Sequence, residues 1–184
     1  MALNSTIHTV TIHLADVDRN VYEELELRVA RHPSETAEYM LTRILAYCLE
    51  YTEGITFSDG GVSSADEPPV VIRDLTTRLV GWIDVGAPDA DRIHRASKLA
   101  DRVAIYTHRD PVKVLAALPA KRIHRAADIP VYAFDRDFIA AGAAAFDRRN
   151  ELTLSVTDRH LFLEVNGTSL STDITEYRLD EPQG

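Results

Sequence analysis

Three acidic residues near the ends of two apolar stretches are the side chains best placed for chemistry. Asp66 and Glu67 precede the stretch 70–72, and Asp84 lies near the end of the stretch 79–85. If the two stretches pair as an antiparallel hairpin with a short turn, Asp84 lies opposite the residues that follow Glu67. The spacing therefore predicts that the three carboxylates cluster at one end of a hairpin.

Clustered carboxylates of this kind suit a divalent metal ion. Carboxylate oxygens are the hard ligands that Mg²⁺ and Mn²⁺ prefer, and a bound ion can activate a water molecule and neutralise charge on a phosphate. The sequence thus predicts a Mg²⁺ or Mn²⁺ site formed by Asp66, Glu67 and Asp84. One alternative stays open: Asp66 and Glu67 are hydrated loop acids, and Asp84 only ends a strand.

The elements that position these acids follow from the hydrophobic periodicity. Alternation over residues 6–14 and 25–29 predicts an antiparallel pair of strands. Helical spacing then runs from Ser34, a candidate N-cap, to about residue 51. Further strands are predicted at 55–57, 70–72, 79–85, 102–107, 130–134, 151–156, 160–165 and 170–177, and further helices at 88–100, 111–118 and 137–146. We therefore predict an α/β fold, one domain over residues 1–184 with a mixed β-sheet and flanking helices.

Composition narrows the cellular context. The chain has one cysteine, Cys48, so it forms no intrachain disulfide, and that cysteine lies on the apolar side of the first helix. No stretch of 18 apolar residues occurs, which excludes a membrane-spanning helix, and the first residues carry no signal-peptide pattern. These features predict a cytoplasmic protein with no membrane partner.

The charge is unevenly distributed along the chain. The net charge of −9 disfavours tight, non-specific binding to nucleic acid. Residues 91–125, however, carry nine basic and three acidic side chains, a local net charge of +6. This segment is the candidate surface for a nucleic-acid partner, although a solvated helix face has the same composition.

Four short motifs resemble the YaeQ family. They are RHPSET at 31–36, DEP at 66–68, WIDVG at 82–86 and RIHRAS at 92–97, and they occur in the family's order. The resemblance spans most of the chain. It implies a bacterial protein with a PD-(D/E)XK nuclease-like core over about residues 33–107 and extra N- and C-terminal strands. Since a fold does not determine a function, nuclease chemistry follows from it only as a hypothesis.

The resemblance also implies roles for individual residues. Asp66 or Glu67 stands where the nuclease pattern has its first aspartate, and Asp84 stands at the D/E position. Gly86 stands where the pattern has its lysine, so that lysine is missing. Nucleases of this fold often add a carboxylate from the first helix, and Glu38 is the candidate here. An acid in the first turn of a helix also suits the helix dipole without any further role.

A basic residue from the following helix is the expected substitute for the missing lysine. Lys98 is the one lysine on that helix, and helical geometry turns it towards solvent. Arg92 and Arg95 are the alternatives, as anchors for a substrate phosphate rather than as proton acceptors. We therefore expect no lysine within hydrogen-bonding distance of Asp84.

Two function hypotheses follow. The first is an enzyme, a Mg²⁺-dependent nuclease or phosphodiesterase that uses Asp66, Glu67 and Asp84 with help from Glu38. The second is a non-catalytic module that binds nucleic acid or protein on a nuclease-like scaffold without the motif lysine. In the first case Asp84→Asn is expected to remove activity with little change in stability, because Asp84 is interpreted as a polar residue at a strand end.

Overall fold

The computed structural model describes residues 4–59 and 66–180. Within these ranges the chain forms eleven β-strands and four α-helices. The strands are β1 (Thr6–Asp16), β2 (Val21–Arg31), β3 (Ile55–Phe57), β4 (Val70–Arg73), β5 (Leu79–Val85), β6 (Arg102–Thr107), β7 (Pro130–Ala133), β8 (Arg149–Thr157), β9 (His160–Val165), β10 (Thr168–Asp173) and β11 (Thr175–Arg178). The helices are α1 (Ala37–Leu49), α2 (Ala90–Leu99), α3 (Pro111–Ala116) and α4 (Arg136–Ala144).

The strands sort into two mixed sheets. One has five strands in the order β10-β9-β8-β1-β2, and the other has six in the order β11-β7-β6-β5-β4-β3. In the five-stranded sheet β1 and β8 are parallel, and in the six-stranded sheet β5, β6 and β7 are parallel. The predicted α/β fold is confirmed, while the division into two sheets was not specified by the strand pattern.

Helix α1 lies between the two sheets. Ten of its residues are buried, and eight of these share one hydrophobic core with the inner face of each sheet. A second core on the far side of the six-stranded sheet joins Trp82, Ile93 of α2 and Val114 of α3. The five-stranded sheet, by contrast, alternates buried and exposed residues, as in the apolar Val10 and the exposed Thr9. Its outer face is therefore open to solvent.

The start of α1 differs from the prediction. Thr36, not Ser34, is the N-cap, and its hydroxyl accepts a hydrogen bond of 3.1 Å from the Tyr39 N–H. The Ser34 hydroxyl instead lies 2.6 Å from His32 Nδ1. Ser, Thr and Asp are all good N-caps, so a sequence that offers Ser34 and Thr36 two residues apart does not distinguish them.

The hairpin of β4 and β5 has the predicted register. Val70 lies opposite Ile83 and Val71 lies opposite Trp82. One further residue along, this pairing sets Asp84 opposite Pro69. The pairing shifts only at the far end of the hairpin, next to its turn. The register therefore brings the end of β5 beside the chain that enters β4.

The predicted last strand over residues 170–177 is two strands in different sheets. β10 pairs with β9 in the five-stranded sheet, whereas β11 pairs with β7 in the six-stranded sheet. Ile174 lies between them and is buried, so the chain changes sheet at this residue. No helix in the described ranges is long and apolar enough to cross a membrane.

Candidate functional site

Asp84 lies at the end of β5, where the parallel strands β5, β6 and β7 all present their carboxyl ends. Ligands of open α/β sheets bind at such an edge, which makes it the first place to look for a site. The Asp84 side chain is only 5% exposed. Asp84 does lie at the end of a strand, as predicted, but it is buried, and Arg92 of α2 and Trp82 contact its carboxylate.

The Asp84 carboxylate is surrounded by hydrogen-bond donors. Its Oδ2 accepts from the Trp82 indole Nε1 at 3.0 Å and from Arg92 Nε at 2.6 Å. Its Oδ1 accepts from the backbone N–H of Val85 at 3.1 Å. Both oxygens are thus engaged by donors of the protein itself, and the charge is balanced by a guanidinium.

Arg92 reaches Asp84 from the first turn of α2. The Asp89 side chain caps this helix by accepting from the Arg92 N–H at 2.8 Å, which fixes where the arginine side chain starts. The guanidinium lies 5.2 Å from the centre of the Trp82 ring, within the range of a cation–π contact. Its Nη2 donates to the backbone carbonyl of Glu67 at 3.0 Å. Arg92 therefore ties β5 to the segment before β4.

The other two predicted metal ligands are not arranged with Asp84 around a common point. Glu67 is half-buried, and its Oε1 accepts from Arg73 Nη2 at 3.1 Å. Asp66 is exposed. In residues 4–59 and 66–180 no group of three His, Cys, Asp or Glu side chains has the geometry of a metal site. The register brings the chain segments together, and Arg92 bridges the Asp84 carboxylate and the Glu67 backbone carbonyl.

Gly86 shows why this chain has no lysine at the expected position. Its φ is +88°, a left-handed conformation that strains any residue with a side chain. A Cβ here would lie 3.5 Å from the Tyr39 ring, an ordinary van der Waals contact, so the backbone conformation rather than a lack of space favours glycine. Burial, and then the negative charge of Asp84, raises the pKa of the Tyr39 phenol well above its usual range. The residue beside the expected lysine position is thus a neutral tyrosine from α1.

Glu38 interacts with Thr42 through its backbone carbonyl and with His108 through the charge of its carboxylate. The Thr42 hydroxyl donates to the Glu38 carbonyl at 2.8 Å and lies 3.2 Å from His108 Nδ1. Because Thr42 has one proton to donate, His108 must be the donor in the second contact. The half-buried Glu38 carboxylate contributes electrostatically to His108, which follows β6.

We expect His108 to make the protein less stable in mild acid. Burial, and then the positive charge of Arg109, lowers the pKa of His108 from 6.5. The unfolded chain therefore binds more protons than the folded chain just below pH 6.5, and the free energy of unfolding decreases as the pH falls through that window. Urea unfolding of the wild type and His108→Gln at pH 7.5 and 5.5 measures this contribution as the difference between their pH dependences. The exposed His124→Gln variant is the control, and an unchanged pH dependence in His108→Gln would contradict the assignment.

The basic residues of α2 do not converge on Asp84. Arg95 and Lys98 are exposed, as the helical geometry predicts. Lys98 is six residues beyond Arg92, about 9 Å further along the helix axis. No lysine of the described chain lies within hydrogen-bonding distance of Asp84, and Arg92 is the basic residue that contacts it. The expected contact with a basic residue of α2 is therefore observed for Arg92, and its role as a substitute for the lysine stays a prediction.

Much of the positive charge of residues 91–125 serves the fold. Arg102 pairs with Glu50 at 2.6 Å, and Arg122 pairs with Asp91 at 3.5 Å. The guanidinium of Arg125 donates to the carbonyls of Ser97, Ala100 and Asp101, at the end of α2. The two RIHRA pentapeptides, at 92–96 and 122–126, also meet, because His94 Nδ1 accepts from the N–H of His124 at 3.1 Å. Four of the nine basic side chains of this segment, Arg92, Arg102, Arg122 and Arg125, are therefore engaged within the fold, and the other five are exposed.

Sequence reasoning missed the buried pair of Glu35 and Arg43. Arg43 Nη2 lies 2.9 Å from Glu35 Oε1, and both side chains are almost fully enclosed. Burial raises the pKa of Glu35, and the charge of Arg43 opposes that shift. The available signal was the position of Arg43 between Leu41 and Ile44 on the apolar side of α1, since a cation there needs a buried partner.

The cysteine has the environment of a core residue. Cys48 is fully buried in α1, and burial raises the pKa of its thiol to about 12. A thiol with this pKa is protonated at neutral pH and is not a nucleophile. The interpretation of Cys48 as a small buried hydrophobe is confirmed.

The chain is similar to proteins of one family over nearly its whole length. The family model described as YaeQ protein matches residues 1–174. The YaeQ protein of Escherichia coli (strain K12) is 31% identical over 179 residues, which cover 97% of this chain and 98% of the relative. The YaeQ protein of Salmonella typhi is 30% identical over the same length.

Two crystal structures have the same architecture. The YaeQ protein from Pseudomonas syringae superposes with a TM-score of 0.86 at 28% identity, covering 94% of this chain and 95% of the other. The YaeQ protein from Xanthomonas axonopodis pv. citri gives the same TM-score at 25% identity and covers 95% and 98%. By family model, sequence identity and fold together, the chain belongs to the YaeQ family.

Proposed function

We propose that this protein is a non-catalytic module that binds another protein, built on a nuclease-like scaffold whose metal position has been taken over by Arg92. The observation that carries the proposal is the buried pairing of Asp84 with Arg92. The Asp84 carboxylate accepts hydrogen bonds from Trp82, Arg92 and Val85 at three of its roughly four lone-pair sites, and the guanidinium balances its charge.

A divalent ion does not fit this arrangement. Arg92 would have to leave Asp84, which breaks a 2.6 Å charged contact and the stacking of the guanidinium on Trp82. An ion placed beside the undisturbed arginine would be repelled by its charge, since Arg remains protonated at any physiological pH. Asp84 is therefore not expected to bind the metal ion that metal-assisted hydrolysis needs.

The charges favour a protein partner over a nucleic acid. The chain carries a net charge of −9, and four of the nine basic residues of the segment 91–125, arginines 92, 102, 122 and 125, are engaged with carboxylates or backbone carbonyls of the protein itself, which leaves five exposed cations. Binding to a phosphate backbone depends on releasing several counterions at once, which needs a cluster of available cations. A protein partner places no such demand on net charge.

We expect the wild type to show no binding of Mn²⁺ at micromolar concentrations in a calorimetric titration. The reason is that Arg92 neutralises the carboxylate that a metal would need. The same samples are incubated with single-stranded, double-stranded and structured nucleic acids in Mg²⁺ or Mn²⁺, and we expect no cleavage.

The result that overturns the proposal is equally specific. Micromolar binding of Mn²⁺ by the wild type that is lost in Asp84→Asn, but kept in the surface control Asp91→Asn, would establish a metal site. Metal-dependent cleavage with the same pattern of loss would restore the nuclease hypothesis with Asp66, Glu67 and Asp84 as the ligands.

A further inference from the structure

A small open pocket lies where three separate segments of the chain meet. They are the start of β1, the end of β2 with the residues that follow it, and the loop between α4 and β8. The pocket has a volume of about 290 Å³, and its basic lining consists of His8, Arg31, His32 and Arg148. This volume is close to the lower end of the range of about 300–1,000 Å³ that ligand pockets of proteins enclose, so it suits a small ligand.

His8 is a buried histidine with one ring nitrogen unpaired. It lies on the core face of β1 together with Val10, and it is only 8% exposed. Its Nδ1 lies 2.8 Å from the backbone carbonyl of Asp147, and because a carbonyl can only accept, Nδ1 carries the proton. None of the described residues forms a hydrogen bond with Nε2. Half of the hydrogen-bonding capacity of this buried ring is therefore unused.

The unpaired nitrogen of His8 is accessible from the pocket. Three side-chain atoms of the described residues are both enclosed and without a partner, and they belong to Glu35, Arg43 and Ser58. His8 Nε2 is not one of them, so part of its surface is open, and His8 lines the pocket. Buried polar groups of proteins nearly always have a partner, and a ligand bound at Nε2 would supply this one.

Hydrogen bonds hold the loop between α4 and β8 against β1. The Thr9 N–H donates to the Arg148 carbonyl at 2.9 Å. The buried side chain of Asn150 donates to the Asp147 carbonyl and accepts from the Asp147 N–H, both at 2.7 Å. The carbonyl that orients His8 is thus fixed by the fold, and the pocket needs little rearrangement to bind a ligand.

Two arginines bring positive charge to the pocket. Arg31 donates through Nε to the Glu35 carbonyl at 2.9 Å, and its terminal nitrogens bond no other described residue. The side chain of Arg148 has no hydrogen bond or ion pair within the described chain. Asp147 supplies the single carboxylate of the lining, so two guanidiniums and one carboxylate give a net charge of +1 with neutral histidines. In a chain of net charge −9, this local excess of unpaired cations indicates an anionic ligand.

His32 adds a further hydrogen-bond donor. Its Nδ1 accepts from the Ser34 N–H at 3.2 Å, so in the neutral ring the proton is at Nε2. That Nε2 has no partner among the described residues. Arg31 and His32 are the first two residues of the motif RHPSET at 31–36. The pocket therefore offers three donor groups beside His8 Nε2, which accepts in the neutral ring and donates in the charged one.

We propose that this pocket binds a phosphate monoester. The guanidiniums of Arg31 and Arg148 and the N–H of His32 donate to phosphate oxygens, and charged donors of this kind form strong hydrogen bonds with phosphate. The organic part of the ester lies against the apolar wall formed by Pro33 and Phe146. This inference goes beyond the proposed function, because it assigns a further ligand to a pocket whose lining does not include Asp84.

His8 favours a phosphate over other anions. A phosphate monoester loses its second proton at about pH 6, so near neutral pH both protonation states are present. Its oxygen can donate to the neutral ring of His8 or accept from the charged one, and one hydrogen bond forms in either case. Sulfate and carboxylate ligands have no proton to donate near neutral pH, so they bond to Nε2 only when the ring is charged. The pocket should therefore prefer phosphate to sulfate.

The test titrates the ¹⁵N-labelled full chain with inorganic phosphate, O-phosphoserine and sulfate and follows the backbone amides by NMR. We expect saturable shifts at residues 6–8, 31–34 and 146–148, and phosphate binding about fivefold tighter than sulfate, the value of one hydrogen bond. A phosphoserine peptide in the same titration identifies the source of the ligand. Tighter binding of the peptide than of O-phosphoserine assigns the phosphate to a partner protein, and equal binding assigns it to a small molecule.

Two variants and a matched control locate the ligand. Arg148→Gln removes one charged donor and is expected to weaken phosphate binding at least about tenfold. Arg149→Gln makes the same change at the next residue, which is exposed and outside the pocket, and should weaken binding less than about twofold. His8→Asn keeps an N–H for the Asp147 carbonyl but has no counterpart of Nε2, so it should lose the preference for phosphate over sulfate.

Four results would overturn the inference. They are the absence of saturable phosphate binding at millimolar concentrations, equal losses in Arg148→Gln and Arg149→Gln, shifts confined to other segments, and equal binding of phosphate and sulfate by the wild type. If His8→Asn does not fold, Arg148→Gln still decides, because that exposed side chain has no partner within the described chain. The Mn²⁺ titration probes Asp84, so its outcome leaves the phosphate result unchanged.

Discussion

Replacing Asp84 with asparagine is expected to lower the free energy of unfolding by about 3–5 kcal/mol, the usual cost of removing one partner from a buried ion pair. The Asp84 side chain is 5% exposed and that of Arg92 is 17% exposed, so the orphaned guanidinium is largely shielded from water in its present position. Equilibrium unfolding in urea measures the change.

An amide cannot reproduce the contacts of the carboxylate. Oδ2 of Asp84 accepts from Trp82 and Arg92, and Oδ1 accepts from the backbone of Val85. Asparagine has one acceptor oxygen and one NH₂ group, so in either orientation a donor faces a donor. The isosteric shape keeps the packing, but the hydrogen bonding and the charge balance are both lost.

Asp91→Asn is the matched control for this prediction. It makes the same substitution in α2 at a side chain that is 85% exposed and only 3.5 Å from Arg122. A surface pair of this kind contributes little, so the change should stay within about 0.5 kcal/mol. If Asp84→Asn proved as stable as Asp91→Asn, the carboxylate of Asp84 would have to be hydrated. The argument from its buried pairing with Arg92 would then fail.

The hairpin that carries Asp84 was predictable from local pattern. The apolar stretches 70–72 and 79–85 are short, β-branched and separated by a turn, and two paired strands of this kind have few registers that keep both faces buried. The structure has β4 and β5 in the expected register. The motif WIDVG at 82–86 also marked Asp84 as a candidate, because it occurs with three other short motifs in the order of one family.

The environment of Asp84 was not predictable in the same way. Whether a carboxylate at a strand end meets water, a metal or an arginine depends on how the next helix packs, and α2 follows the strand by only a short loop. Arg92 was named as a candidate phosphate anchor, yet it contacts Asp84 itself. Residue type and spacing indicate which groups are close, but not which of them pair once water is excluded.

The sequence pattern did not predict the division into two sheets, for a related reason. Strand patterns mark which residues are buried on each strand, but they do not say which strands are neighbours. β8 lies late in the sequence and pairs with β1. β11 follows β10 directly but pairs with β7 in the other sheet. The strands β2 and β3 end different sheets, and no local motif indicates this.

Glu50→Gln is expected to lower the free energy of unfolding by about 2 kcal/mol, a smaller loss than at Asp84. Glu50 is the C-cap residue of α1, and its buried carboxylate accepts from Arg102 twice at 2.6 Å and from the Tyr106 hydroxyl at 2.7 Å. Glutamine keeps one acceptor oxygen but loses the charge and the second acceptor. Urea unfolding of both proteins at one pH gives the difference directly.

The smaller effect follows from the exposure of the orphaned cation. The Arg102 side chain is 45% exposed and that of Arg92 is 17% exposed, so Arg102 is better hydrated when its partner loses its charge. Glu53→Gln, an exposed substitution just beyond α1, is the control and should change stability by less than about 0.5 kcal/mol. A loss at Glu50 equal to or greater than that at Asp84 would contradict the ordering, and would show that burial of the remaining arginine does not determine the cost of breaking these pairs.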